Sequence, residues 1–88
     1  MESLIVKMQF NAPVTGTMKQ SLVTLVEASN AEPGCLQYQA FINAEDEQSV
    51  VFIEQWQSDA FLELHRNGTA VAEFKASVGH HIVGKHMV

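Results

Sequence analysis

The chain has 88 residues, five Lys and Arg against ten Asp and Glu, a net charge of −5 and a single cysteine. That length predicts one domain, residues 1–88, around one core, and the lone Cys35 excludes an internal disulfide and points to a reducing compartment. The basic residues Lys7, Lys19, Arg66, Lys75 and Lys85 are scattered on an acidic chain, which argues against a nucleic-acid partner.

The first eight residues lack the basic start and apolar run of a signal peptide, and no stretch is long enough to span a bilayer. A soluble, cytoplasmic protein without a membrane partner is expected. Leu4, Val6, Met8 and Phe10 alternate with Ser3, Ile5, Lys7 and Gln9, the period of a strand. Asn11-Ala12-Pro13 breaks the pattern. Thr17-Met18-Lys19-Gln20 then has the spacing of a capping box, and Met18, Leu22, Leu25, Val26 and Ser29 share one helical face. Pro33 and Gly34 end that helix near Asn30.

Two strands are expected at 35–42 and 49–57, joined by a solvated acidic turn over 43–48. That turn lacks the alternating carboxylates and glycine of a calcium loop. Ser58 is placed to cap a short helix carrying Phe61, Leu64 and His65, which Asn67-Gly68 can end. Thr69 opens another helix with Val71, Phe74 and Val78 at helical spacing, Gly79 closes it, and 80–88 reads as a last strand. The order βαββαβ is the α+β, ferredoxin-like arrangement with an antiparallel sheet.

Strand two offers Leu36, Tyr38, Ala40 and Ile42 to one face and Cys35 and Phe41 to the other. Strand three offers Val50, Phe52 and Trp56 to one face and Val51 and Ile53 to the other. Helices can cover only one face of such a sheet, and 47% of the residues are hydrophobic. A second copy of the sheet is the simplest cover, which predicts a homodimer.

At this point the residues resemble a known family. Ala31-Glu32-Pro33-Gly34-Cys35-Leu36-Gln37-Tyr38 is similar to the segment entering the second strand of antibiotic-biosynthesis-monooxygenase domains. Phe52-Ile53-Glu54-Gln55-Trp56-Gln57-Ser58 resembles that family's Glu-x-Trp, and Ala60-Phe61-Leu62-Glu63-Leu64-His65 its histidine-bearing helix, with Phe74 beyond. The matching stretches span 31–74. The resemblance implies a dimeric α/β barrel with a pocket between each subunit's sheet and helices. It also implies chemistry on quinols, anthrones, haem or other small metabolites. The haem-degrading members' Trp and later His fall here on His65 and near Lys75. The anthrone oxygenases' Asn and Tyr fall on Phe52 and Leu62, so only Trp56 of that set is present.

His65 is the first candidate for catalysis, because histidine titrates near neutrality and can act as a general base. Its alternative is to finish a helix. Glu54, among aromatic rings, could accept a proton or make a surface or interface hydrogen bond. Trp56, Tyr38, Phe52 and Phe61 are candidate walls for a flat ligand, and packing is the competing role of such rings. His80, His81 and His86 lack a completing Cys or acidic ligand, so no metal is expected. Cys35, without a local cation, reads as a small buried residue.

The sequence contains no nucleotide-binding or serine-nucleophile motif. An electron-rich quinol can itself pass an electron to dioxygen, so a dry pocket, a base and oxyanion donors suffice. The reading is a cofactor-free monooxygenase of a small hydrophobic or aromatic quinol-type substrate. The alternatives are an isomerase or degrader of a small oxygenated metabolite, and a non-catalytic dimer that binds a small ligand.

Overall fold

Alternation along β1 (Glu2–Phe10) sends Leu4, Val6, Met8 and Phe10 into the core and leaves Ile5, Lys7 and Gln9 on the opposite side, as expected. The computed structural model describes residues 1–88. α1 (Gly16–Asn30), β2 (Cys35–Asn43), β3 (Asp46–Trp56), α2 (Asp59–Arg66), α3 (Thr69–Val78) and β4 (Ile82–Met87) follow β1. The sheet is antiparallel throughout, in the order β2-β3-β1-β4, and the helices lie on one side of it. This is the ferredoxin-like α+β arrangement read from the pattern.

α1 buries Leu22, Leu25 and Ser29 and packs on β2 and α3. Its start differs from expectation. Thr15 is the N-cap, and no side chain caps the helix. Gly16, at φ +54°, lets the chain turn into the helix ahead of the predicted box, so Thr17 lies within the first turn. α2 and α3 likewise lack side-chain caps. Ser58 holds the N-cap place of α2, whereas Gly68, not Thr69, holds that of α3. The Ser21 and Ser77 hydroxyls, 2.7 Å apart, join α1 to α3.

The hairpin between β2 and β3 is tighter than the predicted turn. Strand pairing runs to Asn43 and resumes at Asp46, because Asn43 and Asp46 side chains accept the turn's own amides from Glu45 and Gln48. β4 starts two residues later than expected. A 3-10 turn takes residues Gly79–His81, with Asn11 N–H donating to the His81 carbonyl at 2.8 Å. His80 and His81 therefore do not alternate with His86 along a strand. Register shifts interrupt both edges: Leu36 is skipped in the pairing of β2 and stands 57% exposed, where alternation placed it with Tyr38.

Candidate functional site

The site begins with a turn. Pro33 and Gly34 occupy its two central positions, Gly34 at φ +76°, and Cys35 N–H donates to the Glu32 carbonyl at 3.2 Å. Pro followed by a positive-φ Gly is the signature of a type II turn. A side chain at Gly34 would overlap the Phe61 ring, so the turn and α2 close against each other. Asn30 fastens the preceding helix end by donating to the Tyr38 carbonyl at 2.9 Å.

This arrangement brings Glu32 against His65. Glu32 Oε1 lies 2.6 Å from His65 Nδ1, across 33 positions of sequence. His65 comes from the last turn of α2, on the same face as buried Leu62, and is only 5% exposed. Its ring lies on Trp56, centroids 4.6 Å apart, and beside Tyr38 at 5.3 Å. With Nδ1–H donated to a carboxylate, Nε2 is the imidazole's remaining lone pair. The Trp56 indole N–H donates to Glu54 Oε1 at 3.0 Å, fixing a carboxylate that is 7% exposed.

A cavity of about 350 Å³ lies between sheet and helices. His65, Glu54, Tyr38 and Phe52 line it, together with apolar side chains of β1, α1, α3 and β4. Tyr38 is held far above the usual phenol range, first by burial and then by the Glu54 charge, so its hydroxyl stays protonated. The nearby Ser29 hydroxyl works against that rise but makes no hydrogen bond of normal geometry. Burial, and then Glu32, push the Cys35 thiol up as well, away from the thiolate form that a nucleophile needs.

The structure thus gathers four of the six expected site residues around one cavity. Trp56 and Phe61 are not among its lining. Trp56 is wholly buried behind His65, and Phe61 packs over the Gly34 turn. Strand alternation assigns Trp56 its face but not its depth. Glu32 was missed as a functional partner. The only sequence signal was its place at the head of the Pro-Gly turn. His80 and His81 stack on each other at 4.0 Å, and His81 Nδ1 is 2.8 Å from Asn11 Oδ1. No three His, Cys, Asp or Glu residues converge as a metal site, and no helix is long and apolar enough to cross a membrane.

The sequence profile of the antibiotic biosynthesis monooxygenase family matches residues 1–77. Among solved structures, PA3566 from Pseudomonas aeruginosa is 29% identical, with a TM-score of 0.85 over 98% of this chain and 87% of its own. A structure described as an antibiotic biosynthesis monooxygenase is 25% identical, with a TM-score of 0.86 over 99% of this chain and 94% of its own. A Nitrosomonas europaea protein, 19% identical, shares the fold at a TM-score of 0.88 over 100% of this chain and 94% of its own. No curated protein matches the sequence significantly.

Proposed function

This chain belongs to the antibiotic biosynthesis monooxygenase family, and from that premise we propose that it oxygenates a small quinol-type aromatic, without a cofactor, in the cavity beside His65. The observation that carries the reading is the 2.6 Å contact between Glu32 and His65 at the wall of a mainly apolar cavity. Glu32 orients the imidazole and supports its positive charge once a proton arrives. Nε2 takes the phenolic proton of the substrate, and the resulting anion is electron-rich enough to reduce dioxygen. One oxygen atom bonds to the ring and the other leaves as water with two substrate hydrogens. The four electrons that dioxygen takes come from the substrate. Tyr38, kept neutral, donates to the developing oxyanion, and the apolar walls keep competing water out.

Reduced naphthoquinones in aerated buffer test this. Oxygen uptake should exceed the uncatalysed rate, and His65→Ala should lower turnover by about 10²–10⁴-fold. Undiminished turnover in that variant removes the base from the mechanism. Proton exchange without oxygen uptake would assign the same Glu32–His65 pair to an isomerase.

The homodimer belongs to the same reading. Ile5 and Phe41 stand 44% and 49% exposed on the open sheet face, beside the half-buried Val51 and Ile53. That face supports packing against its own copy.

A further inference from the structure

The chain has five Lys and Arg residues, and three of them, Arg66, Lys75 and Lys85, line the cavity that holds His65. Of ten Asp and Glu residues only Glu54 does so. On a chain of net charge −5 this is a reversal of sign at one place. Arg66 is partly neutralised by Glu63, whose Oε1 lies 2.6 Å from its Nη1. Lys75 and Lys85 form no ion pair.

The sheet register separates these charges. Glu54 pairs with Leu4 on one side and Tyr38 on the other, at the His65 end. Lys85 pairs with Met8, which pairs with Val50. Val50 and Glu54 are four residues apart on β3, roughly 13 Å along the strand. Lys85 also lies two strands away from Glu54, on the β4 edge. The carboxylate fixed by Trp56 is therefore at one end of the cavity and Lys85 at the other, with Val6, Met8, Phe52 and Met87 lining it as well. α3 starts beside His65, where Gly68 N–H donates to the His65 carbonyl, and Lys75 lies six residues along the helix from that start.

We propose that the ligand of this cavity is an amphipathic anion: a flat aromatic whose phenolic oxygen lies toward His65 and whose carboxylate, or an equivalent acidic group, lies toward Lys75 and Lys85. This deepens the quinol reading by naming the substrate class, and it rests on that reading's assignment of the cavity as the site. An unpaired ammonium at an apolar rim attracts an anion more strongly than in open solvent and fixes which end of the ligand goes in first.

The test compares 6-hydroxy-2-naphthoate, whose hydroxyl and carboxylate stand at opposite ends of the ring system, with its neutral amide by isothermal titration calorimetry of the intact protein. The carboxylate should bind at least about tenfold more tightly at low salt, and the gap should shrink at roughly 0.3 M salt. In the Lys75→Gln/Lys85→Gln double variant the two affinities should fall within about twofold of each other. Lys19→Glu makes the same change in net charge away from this cavity and from the open sheet face, and should leave the preference intact. Equal affinities in the native protein, a preference that survives loss of Lys75 and Lys85, or one lost equally in the Lys19→Glu variant would each overturn the proposal. So would the absence of binding by both probes. A preference that holds in a protein showing no oxygen uptake would support the anion site and count against the monooxygenase reading alone.

Discussion

Tyr38 has its phenol walled in by Phe52, Trp56 and His65, at ring separations of 5.9, 6.4 and 5.3 Å. Because burial holds its hydroxyl above the ordinary value, the folded chain keeps a proton that the unfolded chain releases near pH 10. The stability linked to this group is thus complete below about pH 10 and is lost as pH climbs beyond it. It is the only tyrosine in the chain, so absorbance at about 295 nm reports on it alone. The phenolate band should appear only as the protein unfolds in alkali, and Tyr38→Phe should flatten the fall of stability above about pH 10. A phenolate band in still-folded protein near pH 10 would refute the assignment. Glu32→Gln tests the orienting role: turnover should fall by about 10–100-fold with the fold retained, less than for loss of His65 itself. Of these residues, Tyr38, Phe52, Glu54 and His65 were legible because period-two and helical spacing tell which side chains share a face. Glu32 was not, since its contact with His65 spans 33 positions and follows from how a Pro-Gly turn aims one carboxylate.

Helix α1 presents Leu22 and Leu25 to the core, while Lys19 stays exposed. Leu22→Ala or Leu25→Ala should cost about 2–5 kcal/mol in urea denaturation, and Lys19→Ala less than about 0.5 kcal/mol. Equal effects at the three positions would mean that the buried face is misassigned. The two positive-φ glycines separate backbone from packing. At Gly16 a methyl group meets open space, so Gly16→Ala should cost only the left-handed backbone penalty, about 1–2 kcal/mol. At Gly34 it meets Phe61 as well, so Gly34→Ala should be the more damaging of the two, and indistinguishable midpoints would show that α2 yields freely. The elements themselves were legible from periodicity, and helix α1 ended where Pro33 required. Their edges were not. A hairpin turn satisfied by its own Asn43 and Asp46 side chains shortens the loop, and a 3-10 turn consumes the predicted start of β4. Leu36 shows the limit most sharply: one skipped pairing moves it off the face that alternation assigns, and alternation alone contains no signal for that shift.

At the scale of the whole molecule, one face of the sheet carries α1, α2 and α3 and the other carries none. An 88-residue chain buries only about 60–65% of the surface its unfolded form exposes, so association on the bare face would add appreciably to a thin margin. Ile53 is the residue on which such packing should turn. It sits on central strand β3, paired with Ile5 on one side and Gln39 on the other, two residues from Val51, which pairs with Lys7 and Phe41. In sedimentation equilibrium at micromolar concentration the native protein should therefore weigh twice its 9.7 kDa chain. Its thermal midpoint should rise with protein concentration, because folding and association are then one equilibrium. Ile53→Asp would set a carboxylate into the apolar centre of each facing sheet, where two copies would confront each other across a two-fold axis. That variant should sediment as a 9.7 kDa species, with a midpoint lower than the native one and independent of concentration. Since Ile53 points away from the cavity, any binding of 6-hydroxy-2-naphthoate by the folded variant would show the site to be complete within one chain. A native protein that sediments as a folded monomer, or an Ile53→Asp variant that stays dimeric, would show that the open sheet face is not where two copies meet.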